Sequence, residues 1–444
     1  MAARANPPAE ARPTRPHVVV IGAGFGGLSA VKALAKSAAD VTLIDRRNHH
    51  LFQPLLYQVA TAALSPNQIA SPIRSIVRHQ RNVSVILDEV INIDSAEGQV
   101  IMRDRAIAYD YLIVATGARH AYFGHDVWEA HAPGLKALED ADAIREKILL
   151  AFERAELLPA GPERDRALSF VIIGGGPTGV ELAGAIAELS KRALACDFRH
   201  TRCSDPRVVL IEAGPRLLPS FSPKISECVR QSLLKRGVDV RLGAAVTKCA
   251  DKKVLIGEDS MDADTIVWAA GVRASPASDW LGADSDQAGR AKVRGDLSFE
   301  SAPNVFVIGD TASAVDADGK LVPGVAPAAK QQGAYVGRKI ADRIAGAPEK
   351  GPFHYLDFGS LATIGRNSAV AEFGDIKLTG FLAWLFWCVI HIYFLIGFRN
   401  RIVVTLDWLW SYLTLERGAR LITRSIGDSQ PRTMMPKLVP AAAE

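Results

Sequence analysis

Two stretches of the chain repeat one pattern of hydrophobic and polar positions. A short β-branched run at residues 18–21 is followed by a glycine-rich turn at 22–27 and a helical pattern at 28–36. The same order of strand, glycine turn and helix begins again at residue 170, which is 152 residues after residue 18. This distance is far too long for a solenoid repeat, so the pattern predicts two separate nucleotide-binding units.

Three other apolar runs end in small residues. The run at 111–114 leads to Thr116 and Gly117, the run at 267–270 leads to Gly271, and the run at 304–308 leads to Gly309 and Asp310. Each has the pattern of a buried strand that ends in a tight turn. Together with the glycine turns, they predict an α/β protein with two Rossmann-like dinucleotide-binding domains.

The first glycine turn has the pattern of a pyrophosphate site. Gly22 permits a tight turn, Gly24 lets the backbone approach phosphates, and Gly27 allows the helix to pack against the strand. The helix N-terminus adds free N–H donors and a partial positive charge. Asp45 ends the next apolar run and is placed to accept hydrogen bonds from a ribose. We therefore predict a dinucleotide cofactor at this turn.

The second glycine turn, with Gly174, Gly176 and Gly179, has a more distant acidic residue. Glu212 lies 38 residues after Gly174, and a polar segment at 196–207 is the predicted insertion. A carboxylate at the ribose favours NADH over NADPH because it repels a 2′-phosphate. Arg216, four residues on, works against this preference, and a surface carboxylate is the alternative interpretation of Glu212.

Glu181 lies one turn into the second predicted helix. From there its side chain could point toward a nicotinamide. The alternative is a first-turn glutamate that merely suits the helix dipole.

Composition excludes several classes of protein. The 444 residues are 48% hydrophobic and 23% charged with a net charge of +4, which is globular and argues against a nucleic-acid-binding protein. None of the five cysteines forms a Cys-x-x-Cys pair, which favours a reducing compartment. We see no metal-ligand cluster. Residues 1–15 predict a disordered leader, with a short transit peptide as the alternative.

The motifs together resemble the two-dinucleotide-binding-domain flavoproteins, in which an NAD domain is inserted into an FAD domain. The segments at 48–60, 326–333 and 377–401 are more specific and resemble type II NADH:quinone oxidoreductases, a likeness that runs from about residue 16 to about residue 426. The chain departs from the family at Pro327, where many members carry glutamine, and no calcium-binding EF-hand loop is visible.

The resemblance implies a domain order and roles for named residues. FAD-binding parts are expected at 16–134 and 272–347, an NADH-binding domain at 135–271, and a C-terminal hairpin with membrane-anchoring helices at 348–444. The residues implied in holding FAD are Gly22, Gly24, Phe25, Gly26, Gly27, Asp45, Thr116, Gly117, Gly309 and Asp310. The residues implied in holding NADH are Gly174, Gly176, Gly179, Glu181, Glu212 and Gly271.

The implied reaction is hydride transfer from NADH to the flavin, then two-electron reduction of ubiquinone or menaquinone. We expect Gln331 and Gln332 to hydrogen-bond the quinone or flavin carbonyls and Lys377 to stabilise the reduced species. Alternatively, both glutamines cap a helix and Lys377 is a solvated lysine at the interface.

The C-terminal part predicts contact with a membrane. Residues 381–398 are apolar apart from His391, and four of the seven tryptophans lie between positions 384 and 410. Arg417, Arg420 and Arg424 follow and suit anionic lipid. We predict two helices in the interface; a single span, a buried core helix or a dimer interface are alternatives. His391 could relay protons or be a satisfied helix histidine.

These expectations describe a non-pumping, monotopic enzyme on the cytoplasmic face of a bacterial inner membrane, with a homodimer as a further option. Three other functions remain open. They are a sulfide:quinone oxidoreductase, a soluble NADH-dependent reductase, and a membrane-bound sensor that binds both nucleotides without meaningful turnover. Fold alone does not choose among them.

Overall fold

The computed structural model of the chain describes residues 15–194, 197–200, 206–414 and 417–423. The expectations for residues 1–14, Cys196, Cys203 and Arg424 lie outside the described residues.

Within these residues the chain alternates strands and helices. The strands are β1 His17–Ile21, β2 Asp40–Asp45, β3 His49–Leu51, β4 Ala70–Pro72, β5 Val83–Leu87, β6 Val90–Asp94, β7 Gln99–Met102, β8 Ala106–Ala108, β9 Tyr111–Val114, β10 Ala118–His120, β11 Ser169–Ile173, β12 Arg207–Ile211, β13 Val238–Arg241, β14 Val246–Ala250, β15 Lys253–Ile256, β16 Asp259–Asp262, β17 Thr265–Trp268, β18 Val272–Ala274, β19 Ala291–Lys292, β20 Val305–Val307, β21 Ala312–Ser313, β22 Ser360–Gly365, β23 Ser368–Phe373 and β24 Ile376–Thr379. The α-helices are α1 Phe25–Ala33, α2 Leu56–Ala60, α3 Pro66–Ile69, α4 Ile73–Val77, α5 Leu138–Leu157, α6 Pro162–Ala167, α7 Pro177–Glu188, α8 Pro223–Lys235, α9 Ala277–Leu281, α10 Ala326–Ile344, α11 Gly380–Phe394 and α12 Phe398–Thr414.

The first large sheet has the strand order β20-β9-β1-β2-β5, and its strands are parallel. Val18, Val19 and Val20 in its centre are fully buried, as continuous apolar strands of a sheet covered on both faces should be. Helices α1 and α10 pack together beside it. A Cβ added at Gly333 of α10 would lie 2.0 Å from the Gly26 carbonyl oxygen, so the two backbones are in close contact.

The second large sheet has the order β13-β12-β11-β17 and is also parallel. All four strands come between β9 and β20 in the chain, so this unit is inserted into the first. The two connections meet in an antiparallel ribbon, where β10 pairs with β18. The two Rossmann-like units and their nested order are therefore confirmed.

The C-terminal part joins the antiparallel sheet β22-β23-β24 to helices α11 and α12. Among the described residues, no helix has both the length and the apolar character needed to cross a membrane. Helix α11 ends at Phe394, because Leu395 is extended and Gly397 has a φ of +92°.

The two C-terminal helices each turn one apolar stripe outward. The stripe is made of large side chains with helical spacing, namely Leu382, Leu385, Val389 and Tyr393 on α11, and Ile402, Leu406, Leu409 and Leu413 on α12. The prediction that all four tryptophans lie in the interface is wrong for Trp387. Only Trp410 among them is largely exposed, at 60%, while Trp387 is 2% exposed, stacks on His391 and contacts Trp408.

Candidate functional site

The first glycine turn joins β1 to α1. Gly22 has a φ of +99°, a left-handed conformation that favours glycine. A Cβ at Gly27 would lie 1.8 Å from the Gly22 carbonyl oxygen, so the helix begins in direct contact with the turn. Nothing lies within 4 Å of a Cβ placed on Gly24, which leaves open space in front of the helix N-terminus. This space is where a pyrophosphate would be held.

Asp45 organises this turn from the end of β2. One carboxylate oxygen accepts a hydrogen bond from the Ala23 backbone N–H at 2.6 Å, and the other accepts one from Arg47 N–H at 2.7 Å. A carboxylate oxygen has further acceptor capacity. Asp45 therefore holds the turn in place and still has lone pairs for a ribose hydroxyl.

Segments distant in sequence close over the first turn. The Gly117 N–H donates to the Thr311 hydroxyl at 2.9 Å, which links the turn after β9 to the turn after β20. The Gly309 N–H donates to the Gln332 side-chain oxygen at 2.6 Å. The structure thus brings the turns that carry Thr116, Gly117, Gly309 and Asp310 together with Gln332, and their role in holding a cofactor stays a prediction.

Residues near this turn include three that sequence reasoning did not assign. The Nε2 atoms of His49 and His50 are buried without a hydrogen-bond partner, and burial lowers the pKa of His50 to about 4. The Lys136 ammonium lies 3.6 Å from the Asp310 carboxylate. The two adjacent histidines that follow the acidic strand were visible in the sequence, whereas only the fold places Lys136 beside Asp310.

The second glycine turn joins β11 to α7 and repeats the geometry of the first. Gly174 has a φ of +112°, and a Cβ at Gly179 would lie 1.8 Å from the Gly174 carbonyl oxygen. A Cβ at Gly176 would again meet nothing within 4 Å. The Gly174 turn abuts the end of β17, since its Cβ would lie 2.5 Å from Ala269. Gly271 is therefore next to this second space.

Glu212 occupies the place in the second unit that Asp45 has in the first. Its two carboxylate oxygens accept hydrogen bonds from Gly175 N–H and Gly214 N–H, both at 2.6 Å. Arg216 donates instead to the carbonyl oxygens of Phe221 and Pro219, at 2.6 and 2.7 Å. Arg216 therefore stabilises a local turn in this structure. Its guanidinium is engaged there and does not face Glu212 as a partner for a 2′-phosphate would.

Glu181 lies on α7, partly buried against the C-terminal sheet. One carboxylate oxygen accepts a hydrogen bond from the Thr363 backbone N–H at 3.4 Å. Removal from water raises the pKa of this carboxyl to about 8, because burial penalises the charged form. Burial, and then the charge of Glu181, raise the pKa of the Tyr57 hydroxyl well above its usual value. The surroundings of Glu181 therefore favour its protonated form.

The side chains of Gln331 and Lys377 have other partners than the Gln332 side chain. Both polar atoms of the Gln331 side chain bond the Leu356 backbone, at 2.9 and 3.0 Å. The Lys377 ammonium pairs with Glu372 at 3.3 Å, and Glu372 also accepts a hydrogen bond from Ser222 N–H. The sequence grouped these residues by motif, but the fold gives each a different set of partners.

The basic residues after α12 face the protein. Arg417 lies 3.6 Å from Glu188 and donates to the Thr61 carbonyl oxygen, and Arg420 pairs with Asp197. Both arginines are therefore paired within the chain, and their attraction to anionic lipid stays a prediction. His391 is a satisfied helix histidine, since its Nδ1 lies 2.7 Å from the Trp387 carbonyl oxygen and burial lowers its pKa to about 4.

The described cysteines do not suit sulfur chemistry. Cys228, Cys249 and Cys388 are free and lie on three separate elements. Burial raises the pKa of Cys249 to about 11 and that of Cys388 to about 12, so neither is a thiolate at neutral pH. These residues therefore argue against the sulfide-oxidising alternative.

Comparison with known proteins agrees with this geometry. Residues 16–333 match the family described as pyridine nucleotide-disulphide oxidoreductase, and residues 358–415 match the NDH2 C-terminal domain. The type II NADH:quinone oxidoreductase Ndh of Mycobacterium tuberculosis is 44% identical over 98% of this chain and 96% of its own.

Two solved structures share the fold at low identity. An NDH2 from Plasmodium falciparum in complex with NADH aligns with a TM-score of 0.84 at 21% identity, covering 92% of this chain and all of the other. A sulfide:quinone oxidoreductase from Aquifex aeolicus aligns with a TM-score of 0.70 at 20% identity, covering 90% and 96%. Both likenesses concern the fold alone.

Proposed function

This chain belongs to the type II NADH:quinone oxidoreductases, within the pyridine nucleotide-disulphide oxidoreductase family, and from that premise we propose that it oxidises NADH and reduces a membrane quinone with FAD as its resident cofactor. The observation that carries the proposal is the pair of glycine turns in one chain, each organised by a carboxylate at the end of the neighbouring strand. We propose that this reaction proceeds without proton pumping.

Two features of the first turn fit FAD. The open space at Gly24 accepts a pyrophosphate, and the unsatisfied Nε2 atoms of His49 and His50 need a polar partner. Asp45 would hold the adenosine ribose, and Asp310 the ribityl-phosphate region. When bound, FAD supplies the two-electron exchange between NADH and quinone.

NADH would bind across the second turn. The helix N-terminus at Gly176 faces its pyrophosphate, and Glu212 accepts from the adenosine ribose and disfavours a 2′-phosphate. In this proposal the chain would hold the two nucleotides face to face, since positioning is most of what hydride transfer requires of a protein. The domain boundaries at 134, 271 and 347 belong to this proposal, and the β10–β18 ribbon between the units supports the one at 271.

Glu181 is proposed to hold a proton for the reaction. Its surroundings favour the protonated form, and its neighbour Tyr57 accepts a hydrogen bond from Gln58, which in turn accepts one from Trp408 of α12. Gln332 is the stronger candidate for a contact with the flavin or quinone carbonyls, because Gln331 would have to share its amide with Leu356. Lys377 would need to leave Glu372 to stabilise the reduced species.

The exposed stripes of α11 and α12 are proposed to lie in the surface of a bacterial inner membrane on its cytoplasmic side, where quinone is available. Eight large apolar side chains at helical spacing favour burial in lipid over exposure to water. A homodimer on this face is an alternative within the same proposal.

The membrane proposal predicts that Leu382→Glu with Leu406→Glu releases the protein from vesicles while its flavin spectrum is unchanged. The matched control is Leu157→Glu, because Leu157 is 88% exposed on α5, outside the C-terminal helices. Vesicle cosedimentation measures the effect. If the double variant still sediments with vesicles, the surface is not the anchor, and a change in mass by light scattering would assign it to a dimer.

Anaerobic stopped-flow absorbance tests the proposed function. NADH should bleach the flavin of the purified protein, and a short-chain quinone should then restore it. Bleaching without restoration by quinone would leave a soluble-acceptor reductase or a sensor. An absence of bleaching would overturn the assignment of NADH itself.

A further inference from the structure

A strained turn lies beside the second glycine turn. Residues 122–125 form a tight turn in which the His125 N–H donates to the Tyr122 carbonyl oxygen at 3.0 Å. The two central residues, Phe123 and Gly124, have φ values of +52° and +89°. Left-handed backbone at both positions is the type I′ geometry, for which Asn-Gly is the favoured pair. A phenylalanine at the first of these positions is strained, and such strain is kept where the surroundings enforce it, typically at functional sites.

The turn presents the Phe123 ring to solvent on a rigid base. Phe123 is 68% exposed, although it is a large apolar side chain. Beneath it, Tyr122 stacks on Trp268 with ring centroids 5.2 Å apart and donates its hydroxyl proton to the Ala132 carbonyl oxygen. Trp268 Nε1–H donates to the Ala121 carbonyl oxygen at 2.8 Å. The Phe123 ring itself lies 6.3 Å from the Trp268 ring, centroid to centroid, so a buried aromatic cluster supports it from below.

The ring covers Gly271. A Cβ at Gly271 would lie 2.8 Å from Phe123 Cζ, so the ring rests against the glycine backbone. The preceding residues, Ala269 and Ala270, are those that the Gly174 turn abuts. Phe123 thus stands at the edge of the space above the second turn.

The sheet order identifies which end of a dinucleotide reaches Phe123. Glu212 follows β12, on one side of β11, and marks the adenosine end. Strand β17 lies on the other side of β11, and Gly271 follows it. Since the pyrophosphate crosses at the turn after β11, the nicotinamide end must extend over the end of β17.

We propose that Phe123 is a further NADH-contacting residue, whose ring packs against the nicotinamide end of the bound nucleotide. This rests on the proposed function. The flat face of a nicotinamide matches an exposed aromatic ring, and burying the ring on binding removes apolar surface from water. No bond forms or breaks at Phe123. Its effect is on affinity and orientation, so it acts on KM for NADH and not on the quinone half of the reaction.

The test is Phe123→Asn, which keeps the favoured turn but removes the ring. KM for NADH and the Kd of NAD⁺, measured by calorimetry on the flavin-loaded full chain, should both rise roughly 3- to 10-fold. The KM for quinone should be unchanged, and Tm should be unchanged or raised because the strain is relieved. Phe123→Tyr should restore both nucleotide constants.

Two results would overturn the proposal. One is unchanged NAD⁺ affinity and unchanged KM for NADH in Phe123→Asn. The other is a Tm that falls in Phe123→Asn and recovers in Phe123→Tyr together with affinity, which would make the ring structural. Lys252→Gly is the matched control for the relief of backbone strain, because Lys252 has a left-handed φ of +57° on the hairpin between β14 and β15. A wild-type protein that neither binds NAD⁺ nor consumes NADH would refute the proposed function instead.

Discussion

The two glycine turns have nearly the same local structure but differ in what closes over them. Each combines a left-handed first glycine, a helix in contact with the turn, and a carboxylate that accepts two backbone N–H groups. The first is enclosed by the turn after β9, the turn after β20 and the start of α10. The second is bordered by the end of β17 and by the exposed Phe123 ring.

This difference suits a resident cofactor at the first turn and an exchanging substrate at the second. A group that must stay bound through many turnovers benefits from closure by segments fixed elsewhere in the fold. A group that enters and leaves in each turnover needs an accessible edge. One local motif therefore serves both purposes, and long-range packing selects between them.

The largest expected effect is at the first turn. Gly24→Val adds bulk to the open space in front of α1, where a Cβ has nothing within 4 Å, so the chain should fold but retain almost no FAD. The flavin absorbance of the purified protein measures this, with circular dichroism as a check on folding. A fully yellow Gly24→Val protein would contradict the assignment of the first turn.

The matched change at the second turn is Gly176→Val, where a Cβ again has nothing within 4 Å. This variant should keep its flavin, but kcat/KM for NADH should fall by about 100-fold or more, because the nucleotide is displaced from its position. Steady-state kinetics with saturating quinone measure it. Loss of flavin here would mean that the two turns are not independent.

A smaller effect is expected at the carboxylates. Glu212→Gln replaces one acceptor oxygen with an N–H₂ group beside a backbone N–H and removes the charge, so the preference for NADH over NADPH should drop about 10-fold. Kinetics with each nucleotide give the ratio. Asp45→Asn is the matched control, and it should weaken FAD retention while the nucleotide preference stays the same.

The smallest effect concerns Glu181, whose equivalent in the first helix, seven residues after the leading glycine, is Ser29. The folded pKa of Glu181 is about 8, above its ordinary value of 4.5. Its contribution to stability is therefore full below pH 4.5 and is lost as pH rises through 8.

In Glu181→Gln the free energy of unfolding should fall less steeply over this range, as measured by urea titration at several pH values. Glu153→Gln, an exposed change on α5, should keep the wild-type slope; an equally steep slope in Glu181→Gln would exclude Glu181 as its source.

The sequence by itself determined the strands that flank the two glycine turns, the turns themselves and the acidic strand ends, and its family resemblance implied the nested order of the two units. Strand, turn and helix are set by residues close together in the chain, so β1, β11, α1 and α7 were found within a few residues of their bounds. The helical pattern of α11 and α12 was also readable, because apolar spacing is a local property.

Tertiary structure alone decided which side chains meet and which face water. It joined Gln332 to Gly309, tied Gln331 to Leu356, turned Arg417 and Arg420 inward, and buried Trp387. It also raised the pKa of Glu181 and placed Phe123 over Gly271. The physical reason is that burial and partner choice depend on contacts between segments far apart in the chain, and residue type and spacing do not specify those contacts.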